Sequence, residues 1–216
     1  MISSAGAARR QFQQRVVDFA RRNEWFGKPF HALTWQRSRN VASFFEGFLP
    51  ASGKLLDIGT GTGHVAALLQ KPERTVLACD IMNLLMVPLP YVICDGSNLP
   101  FLDGAFDAAL LVTVLHHVPK PEHARFLAEA ARVLKPGGKL VLMEDTYHGM
   151  FELEFTKFFD SVMNGEFAGH PHANRTFADW TALMAEAGLR VEHAHEHVAC
   201  YGVFRIRHGI AVAVRE

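Results

Sequence analysis

The chain has no excess of either charge. Lys plus Arg and Asp plus Glu number 22 each, so no global field gathers nucleic acid or an anionic lipid surface. Cysteine is scarce. The three present, Cys79, Cys94 and Cys200, lack metal-type spacing and cannot all pair, which argues against a disulfide framework. Cys79 and Cys94 close predicted buried strands and read as small core residues, as suits a reducing cytoplasm. No apolar run approaches the length that spans a bilayer, and the first residues lack the apolar core of a secretion signal. There is no internal repeat, low-complexity tract or inter-domain linker. The remaining composition, 216 residues with 49% hydrophobic and 20% charged, is that expected of one globular domain with additions.

Against these absences stands Leu55-Leu56-Asp57-Ile58-Gly59-Thr60-Gly61-Thr62-Gly63. A short apolar run ends in an acid, and glycines follow at alternate positions. Val65, Ala66, Leu68 and Leu69 continue as a helical stripe. The pattern predicts a strand, a tight turn and a helix, with bare main chain for a ligand to lie against. It is not the dinucleotide fingerprint, whose third glycine would fall at His64. Nor is it a phosphate-cradling P-loop, since no Gly-Lys-Ser or Gly-Lys-Thr follows.

Further along, helices are predicted over 6–22 and 35–48, joined by an aromatic stretch with Trp25, Phe26, Phe30 and His31. The first is Arg-rich and amphipathic. It reads as a helix packed on the domain with a solvated basic face, a transit peptide or surface helix being the alternative. Residues 1–50 are expected to form an N-terminal helical cap and 51–216 the main domain, as one structural unit. Strand two covers 75–79 and ends at Asp80, strand three covers 91–94 and ends at Asp95, and strand four begins near Phe106. The run 108–115 is apolar without alternation, as in a parallel strand covered on both faces. Helix 121–134 opens with Pro121, and Lys135-Pro136-Gly137-Gly138 turns into strand five at 139–143. A helix is predicted over 150–164 from the stripe Phe151, Phe155, Phe158, Phe159 and Val162. Thr176 and Asp179 resemble a capping box for a helix ending at Gly188, and two strands close the chain, at 190–198 and 201–213. Alternating strands and helices argue for a doubly wound α/β sheet with ligands at the carboxyl ends of its strands.

Asp57-Ile58-Gly59-Thr60-Gly61-Thr62-Gly63, Asp80, Leu115-His116-His117-Val118-Pro119 and Arg132-Val133-Leu134-Lys135-Pro136-Gly137-Gly138 stand in the order and near the spacing of one family. Over residues 54–145 the chain resembles the class I S-adenosylmethionine-dependent methyltransferases of the small-molecule type. The resemblance implies a Rossmann-like seven-stranded sheet of order 3-2-1-4-5-7-6 with strand seven antiparallel. It further implies S-adenosyl-L-methionine as cofactor and S-adenosyl-L-homocysteine as product. By the same resemblance Asp57 and Gly59, Gly61 and Gly63 meet the methionine end. Asp80 binds the ribose hydroxyls, Ile81 and Met82 cover the adenine face, and Asp95 with Gly96 binds the adenine amino group. Thr113 and His117 contribute from the end of strand four. Asp107, at the opposite end of that strand, is expected to be structural.

One interval departs from the family. Asp80 and Asp95 are fifteen positions apart, too few for a crossover helix of average length, and Pro88 and Pro90 oppose helix. The helix between strands two and three is therefore predicted to be missing or shortened. Leu84, Leu85, Met86 and Val87 would patch the bared sheet, a partner surface being the alternative.

Methyl transfer from a sulfonium is an in-line displacement that needs no metal and no covalent enzyme intermediate, so holding the partners in line suffices. A base is needed only if the acceptor must lose a proton early. No Asn-Pro-Pro-Tyr-type run follows strand four and no Pro-Cys pair stands in the cytosine position, so a small-molecule acceptor is expected, with no nucleic acid, no membrane and no metal. His170 and His172, in a polar turn-like segment after strand five, are the candidate base or acceptor contact. His193, His195 and His197 share one face of a strand and read as imidazoles on an edge strand. Trp25, Phe26, Phe30 and Trp35 form a lid or pack as core. The leading function is methyl transfer to a small molecule in the cytoplasm, by a monomer or homodimer. The alternatives are a non-catalytic cofactor-binding regulatory subunit and, distantly, a nicotinamide oxidoreductase.

Overall fold

The computed structural model describes residues 14–164, 172–201 and 204–216. Seven strands form one sheet: β1 (Gly53–Ile58), β2 (Arg74–Asp80), β3 (Tyr91–Ile93), β4 (Phe106–Val112), β5 (Leu134–Asp145), β6 (Leu189–Tyr201) and β7 (Phe204–Arg215). Their order is β3-β2-β1-β4-β5-β7-β6. The five strands from β3 to β5 run parallel, and β7 is antiparallel to both of its neighbours. This is the order that the family resemblance implies.

Successive side chains of the central strands point to opposite faces, so both faces need cover. Leu55, Val76, Leu110, Val141 and Met143 form one core with Val41, Ala42 and Phe45 of α2 (Glu24–Glu46) and Val65 and Leu69 of α3 (His64–Leu69). Leu56, Ala109, Leu111, Leu140 and Leu142 form the other with Phe126 and Leu127 of α4 (His123–Val133) and Trp180 and Met184 of α6 (Phe177–Glu186). Residues 81–90 contain no helix, as the short interval predicts. The Thr176–Asp179 capping box is formed in both directions, and Gly188 takes φ +76° just past the helix end.

Two expectations need correction. Helix α1 covers 14–22 among the described residues, and residues 6–13 lie outside them. The aromatic stretch does not join two helices, because α2 runs unbroken from Glu24 to Glu46. Gly27 marks a close approach rather than a break: a Cβ there would overlap the carbonyl of Ala20 on α1. Packing overrides the local breakers. Helix α5 (Met150–Asn164) exists as predicted, but its inward residues are Leu153 and Thr156, whereas Phe151 and Phe158 face outward, 87% and 60% exposed. The side chains of Phe159 and Val162 lie outside the described residues.

Candidate active site

The glycine-rich turn is pinned to the end of β2. The amides of Gly59 and Thr60 both donate to the Cys79 carbonyl, at 2.8 and 3.1 Å, and the Gly61 amide donates to Asp80 Oδ2 at 2.9 Å. Gly59, Gly61 and Gly63 take φ of +74°, +54° and +80°, where a side chain would be strained. Their surroundings differ. A Cβ on Gly61 would meet open space, which is the bare main chain a ligand can approach. A Cβ on Gly63 would crowd Leu85, Val87 and Leu89, so the helix-free segment 81–90 folds over the turn. The Met86 amide donating to the Thr62 carbonyl at 3.0 Å fastens it there, and Arg21 of α1 donates to the Leu85 carbonyl from outside.

Three carboxylates end three adjacent strands beside this turn. Asp57 is 2% exposed and pairs in register with Ala78 of β2. Burial pushes its pKa up to about 6, the Thr60 hydroxyl donating at 2.6 Å opposes the rise, and the charge of Asp80 adds to it. Asp80 closes β2. The Cys94 amide donates to the Asp80 carbonyl at 2.9 Å, which sets Asp95 next to it on the edge. Asp95 is exposed, and its Oδ1 accepts from the Ser97 amide at 2.8 Å. Ile81 is 52% exposed and Met82 half-buried, with the Met82 carbonyl accepting from the Tyr91 hydroxyl.

Gly96 is brought to the same strand end but turns inward. A Cβ there would overlap the Phe126 ring of α4. Gly96→Ala is expected to destabilise by about 1–3 kcal/mol through overpacking, seen as a lower melting temperature with cofactor affinity kept. The reverse outcome, unchanged melting and lost affinity, would show that the main chain at Gly96 touches the ligand and that the Phe126 contact is not tight.

Past β4 the chain is strained. Thr113 takes φ +54°, an outlier for a β-branched residue, while its amide donates to the Met143 carbonyl at 2.7 Å. Such a backbone stores about 1–3 kcal/mol and persists only where its surroundings over-determine it. A single turn, Leu115–His117, follows. His116 is buried and His117 half-buried, their ring centroids 4.0 Å apart. The acceptor-side segment comes back to this turn, with the Ala173 amide donating to the His116 carbonyl at 2.8 Å. His172, at φ +29°, places Nε2 3.1 Å from Ser161 Oγ of α5. His170 lies outside the described residues.

Trp35 of α2 packs edge-on against His64, centroids 5.4 Å apart, so one member of the aromatic set reaches the glycine turn. Trp25 is 73% exposed, and the side chains of Phe26 and Phe30 lie outside the described residues. His193 and His195 on β6 pack against Phe48 and Phe44, at 4.9 and 5.1 Å. Asp107 accepts from the Lys54 amide at 2.8 Å and pairs with Lys135 at 2.6 Å, at the amino edge of the sheet, which is the structural place expected of it. A cavity of about 290 Å³ lined by Phe48, Pro50, Asp107, Lys135 and Lys139 opens at that same edge, away from the carboxylates. Sequence reasoning missed Thr60 as the partner of Asp57, His64 as the seat of Trp35, and Glu144, a fully buried carboxylate behind the post-β4 turn.

A doubly wound parallel sheet with an open glycine turn and carboxylates at three adjacent strand ends has the form of a ligand-binding edge. A family profile described as "Methyltransferase domain" matches residues 56–142. The demethylmenaquinone methyltransferase of Thermus thermophilus is 30% identical over 205 residues, covering 82% of this chain and 89% of that one. The chain belongs to the S-adenosylmethionine-dependent methyltransferase family. The ubiquinone/menaquinone biosynthesis C-methyltransferase of Desulfotalea psychrophila is 33% identical over 108 residues, 45% of this chain and 43% of that protein. The alignments thus span about two fifths of the first such relatives, at 43% and 41%. A cattle protein named as a probable tRNA methyltransferase matches at 32% identity over 63% of this chain and 30% of its own length. Among solved structures, the 1,6-didemethyltoxoflavin-N1-methyltransferase of Burkholderia thailandensis, holding S-adenosylhomocysteine, shares the fold with a TM-score of 0.66 at 17% identity. It covers 100% of this chain and 92% of that one. S-Adenosylmethionine, the cofactor of the family, fits the residues present. The clearance at Gly61 admits a ligand against main chain, and a buried carboxylate with its pKa raised to about 6 is a site that a cationic group would relieve. Among the described residues no helix is long and apolar enough to cross a membrane.

Proposed function

We propose that this chain transfers a methyl group from S-adenosylmethionine to a small-molecule acceptor by in-line displacement. The observation that carries the reading is the row Asp57, Asp80 and Asp95 on consecutive strand ends around the open Gly61 turn. When bound, the cofactor supplies an activated methyl on a sulfonium. Asp57 neutralises the cationic end, Asp80 takes the ribose hydroxyls and Asp95 the adenine edge, while the segment 81–90 keeps water off the turn. His117, from the turn after β4, contacts the cofactor or the pocket beside it. His172, with His170, is the candidate base, since imidazole changes charge near neutral pH.

A small acceptor is favoured over nucleic acid on two grounds. The chain has no basic excess, and the relative it spans nearly end to end is named for a quinone precursor, whereas similarity to the tRNA enzyme covers 30% of that protein. Demethylmenaquinol is therefore the first defined acceptor to try. The test is transfer of labelled methyl to that quinol and to a small-molecule cell extract, followed by mass spectrometry of the product, beside calorimetry with S-adenosylhomocysteine. Asp80→Ala is expected to weaken cofactor binding by about 1.5–3 kcal/mol, the loss of a charged hydrogen-bond partner. Tight binding with no labelled product from any extract would leave the cofactor-binding subunit as the reading. Unchanged affinity in Asp80→Ala would remove the ribose assignment.

A further inference from the structure

The strained turn after β4 is held by a residue that neither the family match nor the cofactor reading uses. Glu144, next to last in β5, is fully buried. Its Oε1 accepts from the amides of Val114 and Leu115, at 2.7 and 2.6 Å, and its Oε2 lies 2.6 Å from His116 Nδ1. One carboxylate therefore collects three consecutive residues, those directly after the left-handed Thr113. Buried amide donors need acceptors, and here a side chain from the neighbouring strand supplies what regular structure does not. Oε1 with two amide donors leaves Oε2 to receive His116, which fixes the Nδ1–H tautomer.

We propose that Glu144 is a positioning residue for methyl transfer. It clamps the turn 113–117, keeps Thr113 left-handed and sets the tautomer of His116, and so delivers His117 and the turn's main chain to the cofactor edge. The Ala173 amide on the His116 carbonyl extends the clamp to the acceptor-side segment. The inference rests on the methyltransferase reading for its purpose, but its geometry is independent of turnover.

Two variants separate the parts. Glu144→Gln keeps an oxygen for both amides but turns an NH2 toward His116; Glu144→Leu keeps bulk and removes every acceptor. Full-length native and variant proteins are compared by calorimetry with S-adenosylhomocysteine and by nitrogen-15 NMR of the His116 ring. Glu144→Leu is expected to lose at least tenfold in affinity. Glu144→Gln is expected to stay within about threefold of native while the His116 proton moves from Nδ1 to Nε2. A folded Glu144→Leu protein that binds like native, a Gln variant as weak as the Leu variant, or a native His116 protonated on Nε2 alone would each overturn the proposal. If Glu144→Leu does not fold, the Gln variant and the native spectrum decide. A native protein that binds no S-adenosylhomocysteine, or transfers no methyl, fails the methyltransferase reading instead, and the ring spectrum still reports the clamp.

Discussion

At pH 7 the Asp57→Asn protein is expected to be more stable than the native chain without cofactor, and to bind S-adenosylmethionine at least tenfold more weakly. Asp57 is 2% exposed. Burial, opposed by the Thr60 hydroxyl and helped by the nearby charge of Asp80, moves its pKa from 3.8 to about 6. That rise corresponds to about 3 kcal/mol, at most, that the ionised group subtracts from the fold at neutral pH. The sign follows from proton binding. The folded chain holds this proton more tightly than the unfolded chain, so the contribution of Asp57 is complete below pH 4 and is lost as pH rises through 6. Asparagine keeps an oxygen for Thr60 and cannot ionise. Native and variant proteins should therefore match near pH 4, diverge up to pH 6 and stay apart above it, which denaturant melts across that range would show. Binding has the opposite sign, because a cationic ligand repays the ionised form. Native affinity should fall as pH drops below 6, and variant affinity should be flat. A variant less stable than native at pH 8 would mean that burial does not hold the Asp57 pKa up, and a native affinity indifferent to pH would mean that Asp57 does not face the cofactor's charge.

This strained balance is why the site could be read so early in the chain. An acid at the end of an apolar run is a poor choice for stability, and glycines at alternate positions are a poor choice for a helix start. Where local rules are broken together, a ligand is the usual reason. The order of the strands rested on the family resemblance, but the parallel, doubly covered sheet was legible for a different reason. The apolar runs of β1, β4 and β5 lack alternation because both faces are covered, and the short gap between Asp80 and Asp95 could not hold a helix.

Tertiary placement was not legible. The period of α5 correctly announced a helix, but not that Phe151 and Phe158 of its stripe face outward while Phe155 is half-buried, since periodicity does not say which side meets the sheet. Gly96, expected at the adenine site, also makes room for Phe126, thirty residues on, which no local pattern announced. The role of Glu144 carried no signal, because its three partners come from another strand's end. For Gly96 and Glu144 the deciding neighbours are distant in sequence.

The largest purely structural effect is expected from Arg74→Ala, a loss of about 3–5 kcal/mol, because truncating this fully buried side chain leaves a cavity and takes a donor from the Leu69 and Pro50 carbonyls. Arg74 opens β2 and is fully buried. Its Nε donates to the Leu69 carbonyl at 2.8 Å, Nη1 to the Pro50 carbonyl and Glu46 Oε1, each at 3.0 Å, and Nη2 to Glu46 Oε2 at 2.6 Å. One planar fork thus joins the last residues of α2 and α3 and the turn before β1, which a lysine cannot do. The guanidinium, against some burial and with help from Lys71, holds the Glu46 carboxyl down at about 2. Its stabilising part is present above the ordinary value of 4.5 and is lost as pH falls through 2. Because the Glu46 side chain is 38% exposed, solvent screens that part, and Glu46→Gln should be milder than Arg74→Ala. For a chain of this size the arginine loss corresponds to a fall in melting temperature of roughly 6–20 °C. The consequence reaches the site, since α2 carries Trp35 onto His64 beside the glycine turn. Arg74→Lys, which keeps the charge but not the fork, should fall between the two and bind the cofactor more weakly than native. An Arg74→Ala protein that melts with the native chain would show that the hydrophobic contacts of Phe45 and Leu69 anchor α2 and α3 by themselves.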